Sequence, residues 1–440
     1  MFKKHFEKGA DHKAAVPKKL SDTDLLDLVQ RRTLAYFTDF AHPASGMARE
    51  RSNVVQNYGY NLDCVTSGGT GFGIMAMIAG TSRGWLKPDD TLDRVTKIVD
   101  FLETTEKYHG AFPHFMNGNT GKAIPFSEKD DGGDLVETSF LIMGLLTARQ
   151  YFANNPKASD LCDRINTIWK NVEWDWYTKN NSDTLYWHWS PNHGWDMDLP
   201  VTGWNESLIT HVLANASPTH PVPNSVYEQS WLKSNDFKNG QDHGGIVLPL
   251  GPDRGGPLFL SHYSFMGLNP KGMTDAHADY WQQNRNHVLI NRAHCIQNPH
   301  GYKGYGENCW GLTASDDHNG YAAHAPDNDT GVISPTAALS SFPYTPRESM
   351  QALRYFYEEK GDKIFGKYGF KDAFNETEDW IADSHLAIDQ GPIVVMIENY
   401  RSGLLWKLFM SCPEIKHGLD NLGFKTPVAK PSITPPRKSP

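Results

Sequence analysis

Two kinds of helical stretch alternate along this chain, and that alternation limits its fold more than any single motif does. One kind is amphipathic. After the capping box of Ser21 and Asp24, apolar residues recur at Leu25, Leu28, Val29, Tyr36 and Phe40. Thr91 to Glu106 repeats the pattern with Leu92, Val95, Ile98, Val99 and Leu102, and Ser159 to Val172 does so again. Candidates further on are Asp275 to Cys295 and Pro346 to Glu359. The other kind is apolar or rich in small residues on every face. These stretches start near Gly71, Asp134, Trp204, Ser334 and Asp389, the last running to Met410. A helix apolar all round must be buried all round, whereas an amphipathic one covers it. The expected fold is therefore all-α, a single α/α barrel of buried inner helices wrapped by outer ones. Inner helices that run parallel start at one end, so the polar motifs opening them would meet in one cavity.

At 440 residues the length alone would allow two or three domains. No linker divides the chain, and the barrel is expected over residues 21–425. Residues 1–20 read as a basic, polar extension without an apolar signal segment, and 426–440, with five prolines, as a disordered tail. Ile246 to Met266, rich in Gly and Pro, reads as a small hairpin insertion. Net charge is −9, which gives a nucleic-acid partner no support. No apolar run approaches the roughly 18 residues needed to span a bilayer. Five cysteines lie scattered without CxxC spacing, against a zinc site or a dense disulfide framework.

The densest chemistry is Asp130-Asp131-Gly132-Gly133-Asp134-Leu135-Val136-Glu137, with four carboxylates in eight residues. If a helix begins near Asp130, then Asp130, Asp134 and Glu137 share a face. If the glycines form a loop, Asp134 caps the helix and Glu137 takes its N3 position. A charged N-cap with solvated neighbours is the plain alternative. Glu206, in Thr202-Gly203-Trp204-Asn205-Glu206, is read in the first turn of a separate helix. Two carboxyl groups brought by different helices are what cleavage of a glycosidic bond requires, one as acid and one acting on water or the anomeric carbon.

Aromatic residues supply the second signal. Seven of the 13 Trp fall between Trp169 and Trp204. In Tyr186-Trp187-His188-Trp189-Ser190 an extended chain would put Trp187 and Trp189 on one face, and indole faces stack on pyranose rings. Trp195 and Trp204 extend the run, and Asn205 adds an amide. His114 and Phe115 precede the acidic cluster. The loop from Gly301 contributes Tyr305, Glu307, Asn308 and Trp310, with glycines that permit close backbone approach. Asp389 and Gln390 open the last long helix. All are candidate sugar-binding positions. No HExxH, GxSxG or P-loop occurs, and neither a metal nor any other cofactor is expected.

The segments FSEKDDGGDLVETSFLIMGLLTARQYF, LYWHWSPNHGW, GWNESLITHVLA, NPHGYKGYGENCWGLTASD and DQGPIVVMIENYRSGLLWKLF resemble the bacterial glycoamylase-like proteins. They are most similar to glycoside hydrolase family 144, the endo-β-1,2-glucanases. The resemblance covers roughly Asp22 to Phe424. It implies an (α/α)6 barrel and endo-hydrolysis of linear β-1,2-glucan to sophorooligosaccharides with anomeric inversion. Related domains in cyclic-glucan synthases act as transglycosylases. The family's acids fall on Asp130, Asp134, Glu137 and Glu206. On this reading Glu206 protonates the leaving oxygen, Asp130 or Asp134 activates water, and Glu137 tunes its neighbours. A monomer is expected, and the resemblance further implies action in the periplasm or outside the cell. The lack of a signal segment keeps a cytoplasmic location open. Alternatives are action on another glucan, transglycosylation, or glycan binding without catalysis.

Overall fold

A computed structural model of the chain describes residues 20–54 and 61–427. The expected N-terminal extension and nearly all of the expected tail lie outside the described residues. Twelve wall segments form two concentric rings. The outer ring contains α1 (Asp22–Thr38), α3 (Pro88–Thr104), α5 (Ser159–Lys170) and α7 (Asn224–Val226, continued by the π turn Tyr227–Trp231). It is completed by α8 (Tyr280–Gln297) and α10 (Pro346–Arg354, continued by Tyr355–Glu359). The inner ring contains α2 (Ser67–Ser82), α4 (Leu135–Phe152) and α6 (Leu208–Ala216). A pair of 3-10 turns, Leu258–Ser261 and Ser264–Met266, takes the fourth inner place, followed by α9 (Pro335–Leu339) and α12 (Ala387–Arg401). Short helices α11 (Gly361–Ile364), α13 (Leu404–Phe409) and α14 (Pro413–Asn421) fill the periphery.

The inner ring closes on itself. Helix α2 packs between α4 and α12, α4 packs on α6, and α12 on α9. Ser264 Oγ accepts the Ile209 N–H at 3.0 Å, and His262 Nε2 lies 3.0 Å from Ser341 Oγ, joining the 3-10 pair to both flanks. This is the expected (α/α)6 barrel. The sequence periodicity shows why: every residue from Ser67 to Thr81 is buried, whereas α3 buries only Thr91 and the predicted stripe. Gly71 and Gly144 let the inner backbones touch, since a Cβ at either would strike the facing helix's backbone. At the far end, Arg83 beyond α2 holds Glu398 of α12 at 2.7 and 3.1 Å, and Arg401 reaches Asp27 of α1 at 2.5 Å. First and last wall helices are thus clasped together.

Several boundaries differ from expectation. Helix α8 starts at Tyr280 rather than Asp275, because Asp279 is the residue whose carboxylate caps it, taking the Gln282 N–H at 3.0 Å. The long helix expected from Asp389 to Met410 breaks at Gly403, whose φ is +69°. The hairpin, β6 and β7 below, begins upstream of the stretch assigned to it and shares only its start, Val247–Leu250; Leu258 to Met266 are inner wall.

Short ladders occupy the inter-helix loops: β1 (Cys64–Thr66), β2 (Phe115–Asn117) and β3 (Ala123–Ile124) in one, β4 (Gly133–Asp134) with β5 (His188–Trp189) in another. The others are β6 (Lys238–Asp242) with β7 (Val247–Leu250) and β8 (Ala314–Asp317) with β9 (Gly320–Ala323). Near the chain's end come β10 (Phe365–Gly366) with β11 (Gly369–Phe370), and β12 (Phe374–Asn375) with β13 (Trp380–Ile381). All five cysteines are unpaired. Among the described residues no helix is long and apolar enough to cross a membrane.

Candidate active site

The acidic stretch adopts the loop-and-cap arrangement rather than a helix from Asp130. Asp134 caps α4, its Oδ1 accepting the Glu137 N–H at 2.8 Å. Glu137 sits in the first turn, where the helix dipole favours a carboxylate. Its Oε2 also accepts the Gly68 N–H of α2 at 2.8 Å, so one carboxylate serves two inner helix starts. A Cβ at position 68 would lie 2.5 Å from that oxygen. The β4–β5 ladder pairs Gly133 with Trp189 and Asp134 with His188, which lays the tryptophan run alongside the acids. His188 Nε2 accepts the Gly132 N–H at 3.2 Å and lies 3.0 Å from Asp130 Oδ1.

His114 completes the cluster. Its Nδ1 is 3.1 Å from Asp134 Oδ2, an oxygen without a well-aligned hydrogen bond, and its Nε2 is 3.9 Å from Glu137 Oε1. Burial works against charge on this imidazole, but the carboxylates of Glu137, Asp134 and Asp130 outweigh it and push the ring up to about 9. It is a cation at neutral pH. His114, Asp130 and Asp134 bring their polar atoms within 4.8 Å of one another, the spacing of a metal-binding trio. A metal bound there would have to displace the ring's proton.

Glu206 lies just before α6 rather than in its first turn. Gly203, at φ +75°, turns the chain, and Asn205 Oδ1 accepts the Ser207 N–H at 2.9 Å, delaying the helix to Leu208. Ser264 from the fourth inner segment donates its hydroxyl to the Glu206 carbonyl, pinning the loop. The Glu206 side chain is walled by protein yet partly open to solvent. Burial raises its carboxyl, its own backbone N–H opposes, and the Glu137 and Asp134 charges raise it further, to about 7. Glu137 reaches about 7 as well: burial raises it, His114 lowers it, and Asp134 raises it. Two acids, one in the first turn of α4 and one in the loop before α6, thus share one electrostatic field, each raised to about 7.

The structure brings Asp130, Asp134, Glu137, Glu206 and His114 together. Trp187 and Trp189 are both half-buried while His188 between them is buried, the expected alternation. Trp195 packs among Trp176, Tyr177 and Tyr186. Several expected sugar contacts are structural instead. Trp204 and Trp310 are core indoles, 3% and 0% exposed, and Phe115 is buried in β2. Gln390 is buried, donating to the Tyr368 and Phe370 carbonyls. Asn205 is spent on holding the Glu206 loop. Tyr305 donates to Asp329 at 2.7 Å, and the exposed Glu307 offers its carbonyl to Arg292 of α8, so that loop, Asn308 included, is tied to an outer helix.

Asp389 is buried, and burial with the neighbouring Asp372 holds its carboxyl well above the usual range. Asp372 is raised to about 7 by burial and by Asp316. Tyr263, from the 3-10 segment, lies within reach of the charges of Asp389, Glu137 and Glu206 and stays protonated through burial. Glu50, Arg51, Asp316, Asp372 and Tyr263 carried no sequence signal: they lie in loops, in the short strand β8 or between two 3-10 turns, outside any periodic pattern.

The sequence matches the glycoamylase family, described as putative glucoamylase, over residues 198–413. An endo-β-1,2-glucanase from Chitinophaga pinensis, solved with sophorotriose and glucose, is 56% identical with a TM-score of 0.90 over 93% of this chain and 99% of its own. A putative glucoamylase from Bacteroides uniformis is 55% identical with a TM-score of 0.91 over the same shares. The chain belongs to the glycoamylase-like family. A curated exo β-1,2-glucooligosaccharide sophorohydrolase (non-reducing end) from Parabacteroides distasonis is 44% identical over 92% of this chain, which spans 58% of that relative's length. In this glycoamylase-like chain the matched family segment contains Glu206 and Asp389, while the Asp130–Glu137 loop lies upstream of it.

Proposed function

We propose that this protein is a glycoside hydrolase of family 144 that cuts linear β-1,2-glucan within the chain, with inversion. The observation that carries this reading is Glu206: a solvent-reached carboxyl that keeps its proton to about pH 7, facing carboxylates from another inner helix. A general acid needs that protonated form at the leaving oxygen. Glu206 donates its proton to the glycosidic oxygen as the bond breaks. Asp130 or Asp134 takes a proton from water attacking the opposite face of the sugar. His114 lies 3.1 Å from Asp134 and 3.9 Å from Glu137, which the Gly68 N–H holds in place. Inversion places the two working carboxyl groups about 6.5–9.5 Å apart, leaving room for the water.

The endo assignment is supported by the Chitinophaga pinensis enzyme, the more similar of the two relatives named for β-1,2-glucan cleavage. Stepwise release of sophorose is the second reading, favoured by the name of the Parabacteroides distasonis relative. Products from a long glucan decide: a ladder of sophorooligosaccharides at early times supports endo action, and sophorose alone from the first minute refutes it. Polarimetry during the same digest reads the stereochemistry. A non-catalytic glycan binder would bind the polymer and release no reducing ends.

A further inference from the structure

A cavity of about 460 Å³ lies apart from the residues assigned to catalysis. Its walls come from the segment before α2, the β8–β9 hairpin and the β12–β13 hairpin, and include Arg51, Asn53, Asp316, Trp380 and Asp383. None of these is among the residues singled out from sequence. The volume falls within the ~300–1,000 Å³ of small-ligand sites. Arg51 pairs across a β-bridge with Leu386, the residue that caps α12, so the cavity lies at the catalytic end of the barrel.

Two side-chain paths join it to the acids. Glu50, which binds Arg51 Nε at 2.8 Å, lies near enough to His114 for their charges to interact. On the other side Tyr321 of β9, 45% exposed, lies near enough to Asp389 and Tyr263 for their charges to interact, as Tyr263 does to Glu206 and Glu137.

The lining suits a neutral polyol. Arg51 Nη1 is held by both oxygens of Asp316 at 3.3 and 3.2 Å, and Asp316 also takes the Ser384 hydroxyl, so the guanidinium fork is fixed. Asn53 donates to Asp383 at 2.6 Å and leaves its own carbonyl oxygen unpartnered. Carboxylates outnumber the single cation, which disfavours phosphate or carboxylate ligands. Half-buried Trp380 adds an indole wall for the apolar face of a pyranose.

We propose that this cavity is a remote subsite that holds a glucosyl unit of the same polymer away from the bond being cut and favours long chains over short ones. This rests on the reading of the protein as a β-1,2-glucan hydrolase. The test compares W380A and D383A with the parent protein, measuring kcat/KM on long linear β-1,2-glucan and on the shortest sophorooligosaccharide the parent cleaves. The long-to-short ratio is expected to fall about tenfold in W380A and about threefold in D383A, mainly through KM. Asp383 is exposed, so D383A carries the test even where W380A is lost to misfolding. A parent protein inactive on every β-1,2-glucan refutes the functional reading and the subsite with it. An active parent whose ratio is unchanged in the folded variants overturns the subsite alone.

Discussion

Glu206 decides the alkaline side of this site's pH behaviour. Glu206 works while protonated, so turnover should decline as pH rises through about 7, where its carboxyl ionises. Glu206→Gln keeps the shape and loses the proton. Its turnover is expected to fall by roughly 10²–10⁴-fold, with the circular dichroism spectrum unchanged. His114→Asn removes the ring that lies 3.1 Å from Asp134 and 3.9 Å from Glu137, so kcat/KM should fall, by up to about 10²-fold, with the circular dichroism spectrum unchanged. A kcat/KM equal to the parent's would remove His114 from the reaction. The acidic cluster's place was legible in the sequence because two glycines and the apolar run after Asp134 mark a helix start there. Trp204 and Trp310 were misread because an indole looks the same in a core as on a sugar platform; only the packing of Trp204 against Trp231, Phe265 and Tyr280 tells them apart.

Among elements, the contact of α2 with α4 is the tightest constraint. Gly144→Val would drive a branched side chain into the Gly71 backbone. Destabilisation of about 1–3 kcal/mol or more is expected, read as a lower midpoint in urea unfolding. A midpoint within error of the parent's would show that the helices can part without loss. Helix type was legible here because burial all round leaves an all-apolar pattern. Helix starts were less so. Glu206 was placed inside α6 since Trp204 to Ala216 is apolar enough, but Gly203 and the Asn205 cap delay the first turn. The fourth inner segment was missed because two 3-10 turns have no 3.6-residue period to detect.

For the molecule as a whole, Glu137, Glu206 and Asp372 each bind a proton more tightly folded than unfolded. Stability from these groups is fully present below about pH 4.5 and is lost as pH rises to about 7. His114, raised to about 9, continues the loss from about 6.5 upward. The melting temperature should therefore fall between pH 5 and 8. Glu206→Gln, which never ionises, should melt above the parent at pH 8 by roughly 1–2 kcal/mol equivalent and match it at pH 5. Equal differences at both pH values would refute the link. The barrel itself was legible from alternation, yet its closure was not, because the pairs that seal it are hundreds of residues apart.

That seal has a consequence for descent. The clasp of Arg83 with Glu398 and of Arg401 with Asp27 sits at the end of the ring remote from the chemistry. Loops at the open end can lengthen, shorten or trade aromatics without loosening the ring. A lineage built on this chassis is thereby free to change its diet while keeping its lock.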